Sequence, residues 1–206
     1  MSVSHTIIAL LISLTIYTYA DENTETKEAT KMDTALLIID AQVNMWESEY
    51  SLHSGEQLLA KLGTLITNAR RAGILVIHIQ NNGGPGDPDE PGTKGWEIHP
   101  KLTPADGEIV VQKDQPSAFQ NTNLLQILRE RGIGNLIIVG MQTEMCVKAN
   151  CVSAVQNDYN VILVEDAHST FDRDSETAAQ IIERHNKELG LLLNLKKMKD
   201  LPFVSP

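Results

Sequence analysis

From residue 34 onward, short apolar runs alternate with longer segments in which apolar residues recur every three or four positions. The short runs are rich in Leu, Ile and Val and end at a polar residue or glycine, a pattern typical of buried strands. These predicted strands lie at residues 35–39, 74–79, 108–112, 136–139 and 161–164, with a further edge strand at 201–204.

The longer segments have the periodicity of amphipathic helices. The first runs from Leu58 to Ala69 and is followed by Gly73, a residue typical of helix C-termini. Residues 81–95 are rich in Gly, Pro and Asp and are predicted to be a long loop. Apolar strands that alternate with helices predict an α/β fold, with a mostly parallel sheet covered on both faces. The remaining helices are predicted at residues 121–131, 146–158 and 175–188.

Length, charge and cysteine content limit the class of protein. A chain of 206 residues can bury a core without disulfides or a structural metal, and residues 34–206 are predicted to form one domain. The formal net charge of −10 argues against nucleic acid or an anionic membrane as a partner. Cys146 and Cys151 lie five positions apart on one predicted helix and point to different faces, so no disulfide between them is expected.

The first twenty residues differ in character from the rest of the chain. Residues 6–20 are apolar, and small residues at Thr18 and Ala20 are compatible with cleavage after Ala20. Residues 1–20 are therefore predicted to be a signal peptide of a secreted or exported protein, without stable membrane insertion. Because this leader lacks Lys and Arg, an uncleaved anchor and a cytoplasmic protein with a non-functional leader remain alternatives. Residues 21–33 are polar and are predicted to be a linker.

Three chemically complementary residues follow predicted strands. Asp40 follows the first strand, Lys113 the third, and Cys146 stands beyond the fourth. Because parallel α/β sheets place their sites at the carboxyl ends of the strands, we expect these side chains to lie together. Cys146 near a helix N-terminus would favour a thiolate. A thiol nucleophile, a carboxylate that accepts and returns its proton, and a lysine that balances the charge are suited to acyl transfer.

Each of these residues also has a simpler interpretation when taken alone. Aspartate is common in the turn after a strand, a lysine at a strand end is usually solvated, and a free cysteine is often a small core residue. Among the histidines, His78 is predicted to be a core residue and His99 to shape its loop. His168, near a strand end, is the histidine that stays a functional candidate.

Three segments around these residues form a set of motifs. They are residues 40–44 (DAQVN), 111–119 (VQKDQPSAF) and 140–147 (GMQTEMCV). In sequence and in order they resemble the aspartate, lysine and cysteine motifs of the isochorismatase-like cysteine hydrolases. The resemblance spans residues 34–190.

The resemblance implies a three-layer α/β/α sandwich with a central, mostly parallel sheet and with Asp40, Lys113 and Cys146 as catalytic residues. It also implies a cis peptide bond between Met141 and Gln142, with the backbone amides of Gln142 and Cys146 forming an oxyanion hole. The two tryptophans near the site could stack on a flat substrate or simply pack the loops. The candidate substrate-binding residues are Gln42, Met45, Trp46, Trp96, Phe119 and Glu144.

Departures from some relatives narrow the predicted function. Nicotinamidases carry an Asp-x-His pair in the loop after the second strand, where this chain reads QNNGG at 80–84, so no metal and no other cofactor is predicted. Isochorismatases have glycine where Cys146 stands, which leaves vinyl-ether hydrolysis as the less favoured alternative. The prediction is a metal-independent cysteine hydrolase that cleaves a small-molecule amide C–N bond through a thioester. A binding or redox-responsive protein on the same fold is a second alternative. A homo-oligomer is expected because pockets in this family often include a neighbouring subunit.

Overall fold

A computed structural model describes residues 33–47 and 52–204, so the predicted signal peptide lies outside the described residues, as does the predicted linker except for its last residue. Within this part, strands and helices alternate as the sequence predicts. The strands are β1 (Thr34–Ile39), β2 (Leu75–Asn81), β3 (Ile109–Lys113), β4 (Asn135–Met141), β5 (Asn160–Ser169) and β6 (Asn194–Lys196). The α-helices are α1 (Gly55–Ala72), α2 (Leu124–Glu130), α3 (Lys148–Gln156) and α4 (Ala178–Leu189).

The six strands form one parallel sheet in the order β3-β2-β1-β4-β5-β6. Strand β1 lies inside the sheet, between β2 and β4, and all of its residues are buried. The parallel sheet confirms the predicted α/β class. It also brings the carboxyl ends of β1, β3 and β4 to one edge, where the three candidate catalytic residues follow.

The two faces of the sheet bury separate cores. Along β1, Leu36 and Ile38 pack on the side that α1 covers, whereas Leu37 and Ile39 pack on the side of α2 and α3. Successive side chains of a strand point to opposite faces, which explains why an uninterrupted apolar strand serves both cores. The three-layer arrangement is therefore confirmed.

Local signals set where the helices begin and end. Helix α1 ends at Gly73, which has a φ of 71° and caps the helix in the left-handed conformation. Helix α4 begins three residues later than predicted because Thr177 and Gln180 form a capping box. No helix among the residues that the structure describes is long and apolar enough to cross a membrane.

The predicted edge strand at 201–204 is wrong. The edge position is held by β6, which pairs with residues 162–164 of β5. Leu201 and Phe203 are buried instead in the core on the α1 side. Pro202 between them has no N–H to donate to a sheet ladder, and this apolar segment packs its side chains in the core without joining the sheet.

Candidate active site

The three predicted catalytic residues lie together at the carboxyl edge of the sheet. Lys113 ends β3, and its side chain crosses the end of β2 to reach Asp40, directly after β1. Nζ of Lys113 lies 2.9 Å from Oδ2 of Asp40 and 3.4 Å from Sγ of Cys146. A single ammonium group therefore contacts both a carboxylate and a thiol.

Asp40 and Lys113 form a buried ion pair, since they are 1% and 2% exposed. Burial raises the pKa of Asp40, although the ammonium of Lys113 acts in the opposite direction. Apart from the neighbouring Cys146 thiol, which interacts with this carboxyl group, Oδ1 of Asp40 has no hydrogen-bond partner among the described residues. The carboxylate is thus a stronger base than an ordinary aspartate and has an oxygen free to take a proton.

The thiol does not show the thiolate character expected from the sequence. Burial, and then the nearby Asp40 carboxylate, raise the pKa of Cys146 to about 12, and the Lys113 ammonium offsets them only in part. Cys146 lies in a π-helical turn, Thr143–Val147, and helix α3 begins only at Lys148. The resting side chain is therefore a protonated thiol, and a base must remove the proton when the sulfur attacks.

The end of β4 approaches β1 very closely. Gly140 has a φ of +120°, and a Cβ atom at this position would lie 2.2 Å from the carbonyl oxygen of Ile39. Only glycine can therefore occupy this position, and its absence of a side chain lets the cysteine turn lie against the end of β1. The peptide bond between Met141 and Gln142 is cis, as the family resemblance implies.

Asn81 is a site residue that sequence reasoning missed. Its Oδ1 accepts a hydrogen bond from Nζ of Lys113 at 2.8 Å, and its Nδ2 donates to Oδ2 of Asp89 at 2.7 Å. Asn81 thereby orients the lysine and connects it to the loop after β2. Its position at the end of a strand that lies between β1 and β3 is the signal that could have identified it.

Gln42 connects the loops around the site. Its Nε2 donates to the carbonyl oxygens of Asn81 and Trp96, both at 2.9 Å, and its Oε1 accepts from the Asn81 amide at 2.7 Å. The side chain is completely buried. Its polar atoms are thus hydrogen-bonded within the protein, which is a structural role, and the predicted substrate-binding role stays a prediction.

Both tryptophans are tied into the loops around the site. The indole N–H of Trp46 donates to the carbonyl oxygen of Gly55 at 3.0 Å, and its ring packs edge-on against His99. The indole N–H of Trp96 donates to Oδ1 of Asn82 at 2.7 Å. Of the two alternatives, these contacts favour loop packing over stacking on a substrate.

A cavity of about 830 Å³ lies at the same edge of the sheet. Asn44, Met45, Gln142 and Arg173 contribute to its wall, which is built by the segments after β1, β2, β4 and β5. Its volume is in the range of small-molecule sites. Met45, a predicted substrate-binding residue, thus lines this cavity, and Gln142 links the cavity to the turn that carries Cys146.

Arg173, on the loop after β5, is a second residue that sequence reasoning missed. Its guanidinium group donates to Oε1 of Glu144 at 2.7 Å and to Oε1 of Gln142 at 2.8 Å. Burial opposes ionisation of Glu144, but the hydrogen bond from Arg173 prevails and lowers its pKa. Glu144 is therefore an ionised residue, held by Arg173, which lines the cavity. Phe119, another predicted substrate-binding residue, packs against the ring of Tyr159 and against the core on the side of α2 and α3.

The described residues contain no group of three or more His, Cys, Asp or Glu side chains arranged to hold a metal ion.

Comparison with known proteins identifies relatives over most of the chain. A family model described as an isochorismatase domain matches residues 34–186. Streptothricin hydrolase of Streptomyces noursei is 37% identical over 180 residues, which are 84% of this chain and 65% of that protein. The secreted isochorismatase effector Isc1 of Verticillium dahliae is 33% identical over 156 residues, 75% of this chain and 82% of the effector. The ureidoacrylate amidohydrolase RutB of Agrobacterium fabrum is 30% identical over 172 residues, 66% of this chain and 75% of that enzyme.

The chain thus spans slightly less than two thirds of the streptothricin hydrolase. Among solved structures, an isochorismatase from Pseudomonas putida has a TM-score of 0.78 at 29% identity. The superposition covers 84% of this chain and 92% of that one. The sheet, the helices and the edge that carries the site therefore have a close counterpart in a known fold.

Proposed function

The chain belongs to the isochorismatase family, and on that premise we propose that it is a hydrolase that cleaves a small-molecule amide C–N bond through a thioester on Cys146. The observation that carries the proposal is the contact of Nζ of Lys113 with both the Asp40 carboxylate and the Cys146 thiol. A relative named an amidohydrolase supports an amide as the substrate bond.

In the first half of the reaction, Sγ of Cys146 attacks the amide carbonyl carbon while Asp40 accepts the thiol proton. The raised pKa of Asp40 favours this transfer, because a more basic carboxylate holds the proton better. Lys113 stays between the two groups and offsets the negative charge that moves from carboxylate to sulfur. The carbonyl oxygen becomes an oxyanion, which the backbone amides of Gln142 and Cys146 bind.

The second half of the reaction restores the enzyme. The C–N bond breaks, and Asp40 returns its proton to the leaving amine. Water then attacks the thioester carbon, Asp40 accepts a proton from that water, and the C–S bond breaks. The proton passes back to the sulfur, so the net reaction is amide plus water to carboxylic acid plus amine. Lys113 and the backbone amides supply the positive charge that each step needs, so the proposal requires no metal.

The proposal is tested with a panel of small primary amides and carbamoyl compounds, followed by intact-mass detection of an acyl adduct. We expect an adduct on Cys146 and a loss of turnover by at least about a thousandfold in Cys146→Ala, since a nucleophile is removed. Cys151→Ala is the matched control, because Cys151 is completely buried on α3 and its loss should affect stability only.

Each alternative function has its own signature in this experiment. Full activity of Cys146→Ala would contradict the proposal, and turnover of a vinyl ether by that variant would identify the isochorismatase type of reaction. A protein that binds ligands but turns over no amide would be a binding or redox-responsive protein. The raised pKa of Cys146 argues against a redox-responsive protein, because oxidation to a sulfenic acid proceeds through the thiolate.

Export and self-association are further proposals. The apolar leader at residues 1–20 supports export, and one relative is named a secreted effector. N-terminal sequencing of the mature protein should begin at Asp21, and a sequence that begins at Met1 would contradict cleavage. Homo-oligomerisation stays a prediction, and light scattering that gives the mass of a single chain would overturn it.

A further inference from the structure

A buried hydrogen-bonded network connects the cysteine turn to β5 and α4. His168, near the end of β5, is 4% exposed. Its Nδ1 lies 2.9 Å from Oγ1 of Thr143, and its Nε2 lies 2.9 Å from Oδ1 of Asn186 on α4. Thr143 is completely buried and begins the π-helical turn that carries Cys146. The network therefore ends three residues before the nucleophile.

The partners of the network determine which nitrogen of His168 carries the proton. Nδ2 of Asn186 donates to the carbonyl oxygen of Glu165 at 3.0 Å, so Oδ1 is the atom that faces the imidazole. An amide oxygen can only accept, and Nε2 must therefore be the protonated nitrogen. Nδ1 is then an acceptor, and the Thr143 hydroxyl donates to it. Every hydrogen bond in the network thus has an assigned direction.

The surroundings keep this imidazole neutral. Burial lowers the pKa of His168 to about 4, while the hydrogen bond to Asn186 and the charge of Asp166 act in the opposite direction. His185 on α4 is the other titratable group that acts on the ring, and it lowers the pKa further. Asp166 is itself paired with Lys61 at 2.8 Å, so its charge is largely compensated. The neutral Nε2–H form is the one that fits the network.

Side-chain hydrogen bonds attach the cysteine turn to the rest of the fold. The side chain of Gln142 makes no capping hydrogen bond to the turn. Its backbone carbonyl accepts from the amides of Met145 and Val147, both at 3.1 Å, which closes the turn but does not attach it to the sheet. Arg173 holds the side chain of Glu144, Asn150 donates to the carbonyl oxygen of Cys146 at 2.8 Å, and Thr143 attaches the start of the turn to β5 through His168. A displacement of a reacting group by about 1 Å can cost about a hundredfold in rate.

We propose that His168 is a positioning residue, which through Thr143 holds the cysteine turn so that Sγ of Cys146 stays against Lys113 and Asp40. This role rests on the proposed cysteine mechanism. His168 touches neither the substrate nor the reacting atoms. It acts by keeping the sulfur in place, and its effect should therefore appear in the rate of acylation and not in substrate affinity.

The kinetic test compares Thr143→Val with Thr143→Ser. Valine has the shape of threonine but no hydroxyl, so we expect acylation of Cys146 to slow by about 10- to 100-fold with little change in KM. Serine keeps the hydroxyl and should restore the rate to within about threefold of wild type. His78→Gln is the matched control: it removes another buried imidazole, hydrogen-bonded to Glu108, from a position away from the cysteine turn. The His78→Gln variant should have a lower free energy of unfolding than wild type but the same rate of acylation.

Two further measurements do not require turnover. Nitrogen-15 NMR of the His168 ring near neutral pH should show a neutral imidazole protonated at Nε2. Alkylation of Cys146 by iodoacetamide in alkaline solution should change rate in Thr143→Val, with the buried Cys151 as an internal control for unfolding. Because Thr143 is in the core, Asn186→Ala at the half-buried outer end of the network is the second variant, and it should slow acylation less than Thr143→Val.

The outcomes separate the positioning role from the proposed function. A wild-type protein that alkylates at Cys146 but forms no acyl adduct with any amide contradicts the cysteine mechanism, and the positioning role falls with it. If acyl adducts form but Thr143→Val matches wild type in acylation and alkylation and differs only in Tm, the mechanism stands and the positioning role is overturned. Protonation of His168 at Nδ1 near neutral pH would overturn it as well.

Discussion

Strand β3 connects two ionic clusters that differ in how completely their charges are satisfied. Glu108 precedes the strand, and Lys113 ends it. The carboxylate of Glu108 accepts two hydrogen bonds from Arg70 at 2.8 Å each, one from the Ala105 amide at 2.9 Å, and contacts His78 at 3.2 Å. Burial alone would raise its pKa, but these donors hold the pKa at about 2.

At the other end of β3, the carboxylate of Asp40 has a single strong charged partner, Lys113, and that partner is shared with Asn81 and with the sulfur of Cys146. Burial dominates here, and the pKa of Asp40 is raised. The comparison indicates how a stabilising cluster differs from a reactive one. In the first, several donors stabilise the ionised carboxylate, whereas in the second burial opposes the ionised carboxylate that a single cation favours.

The largest expected difference between the clusters lies in catalysis. Asp40→Asn should lower kcat by about 10²- to 10⁴-fold, because the general acid and base is lost. Glu108→Gln should leave kcat near the wild-type value and lower the free energy of unfolding by about 1–3 kcal/mol, since hydrogen bonds of a partly buried group are lost. Steady-state kinetics and urea unfolding of both variants check this. Equal losses of kcat in the two variants would contradict the distinction between a reactive cluster at Asp40 and a stabilising cluster at Glu108.

A somewhat smaller difference is expected when each cation is removed. Lys113→Met leaves a buried carboxylate without its partner and should cost up to about 3–5 kcal/mol at neutral pH. The loss should shrink in acid, where Asp40 is protonated. Arg70→Met affects a cation that is partly exposed and should cost about 1 kcal/mol or less. Urea unfolding at two pH values measures both, and a loss for Lys113→Met that does not depend on pH would contradict the assigned role of Asp40.

The smallest expected effects concern the pH dependence of stability. Glu108 has a folded-state pKa of about 2 against an ordinary 4.5, so its contribution is present above pH 4.5 and is lost as the pH falls toward 2. His168 has a folded-state pKa of about 4 against 6.5, so stability also falls as the pH drops from 6.5 toward 4. The raised pKa of Asp40 acts in the opposite direction.

Urea unfolding of wild type and Glu108→Gln across this range separates the two contributions. The variant should show a shallower decline between pH 4.5 and 2, because Glu144 and Asp166 also have lowered pKa values and still contribute, and it should keep the decline at higher pH. An unchanged lower decline in Glu108→Gln would show that other carboxylates cause it.

Most of the sheet could be predicted from sequence because its strands are buried on both faces and therefore nearly free of polar residues. β1 and β4 are the clearest examples, since all six residues of β1 are buried. The short edge strand β6 was not recognisable, because Asn194, Leu195 and Lys196 carry no such pattern. The more apolar segment at 201–204 resembled a strand, yet its side chains fill the core without joining the sheet.

The residues of the candidate site could be predicted from sequence, but their protonation states and contacts could not. Asp40, Lys113 and Cys146 each follow a strand, so topology alone brings them together. Burial and the carboxylate of Asp40, which is distant in sequence, raise the pKa of Cys146, whereas helix position alone pointed to a lowered pKa. The hydrogen bonds of Gln42 were not predictable from sequence either, because its partners Asn81 and Trp96 lie about forty and fifty residues away along the chain.

The sequence by itself determined the alternation of strands and helices, the shared edge of the three complementary side chains and the resemblance of their motifs to a known family, because these depend on periodicity and local order. Only the tertiary structure decided that Lys113 bridges a carboxylate and a thiol, that the resting sulfur is protonated, and that His168 reaches the cysteine turn through Thr143. Those properties depend on distances between residues far apart in the chain and on the exclusion of water from the site. A local sequence pattern specifies neither of them.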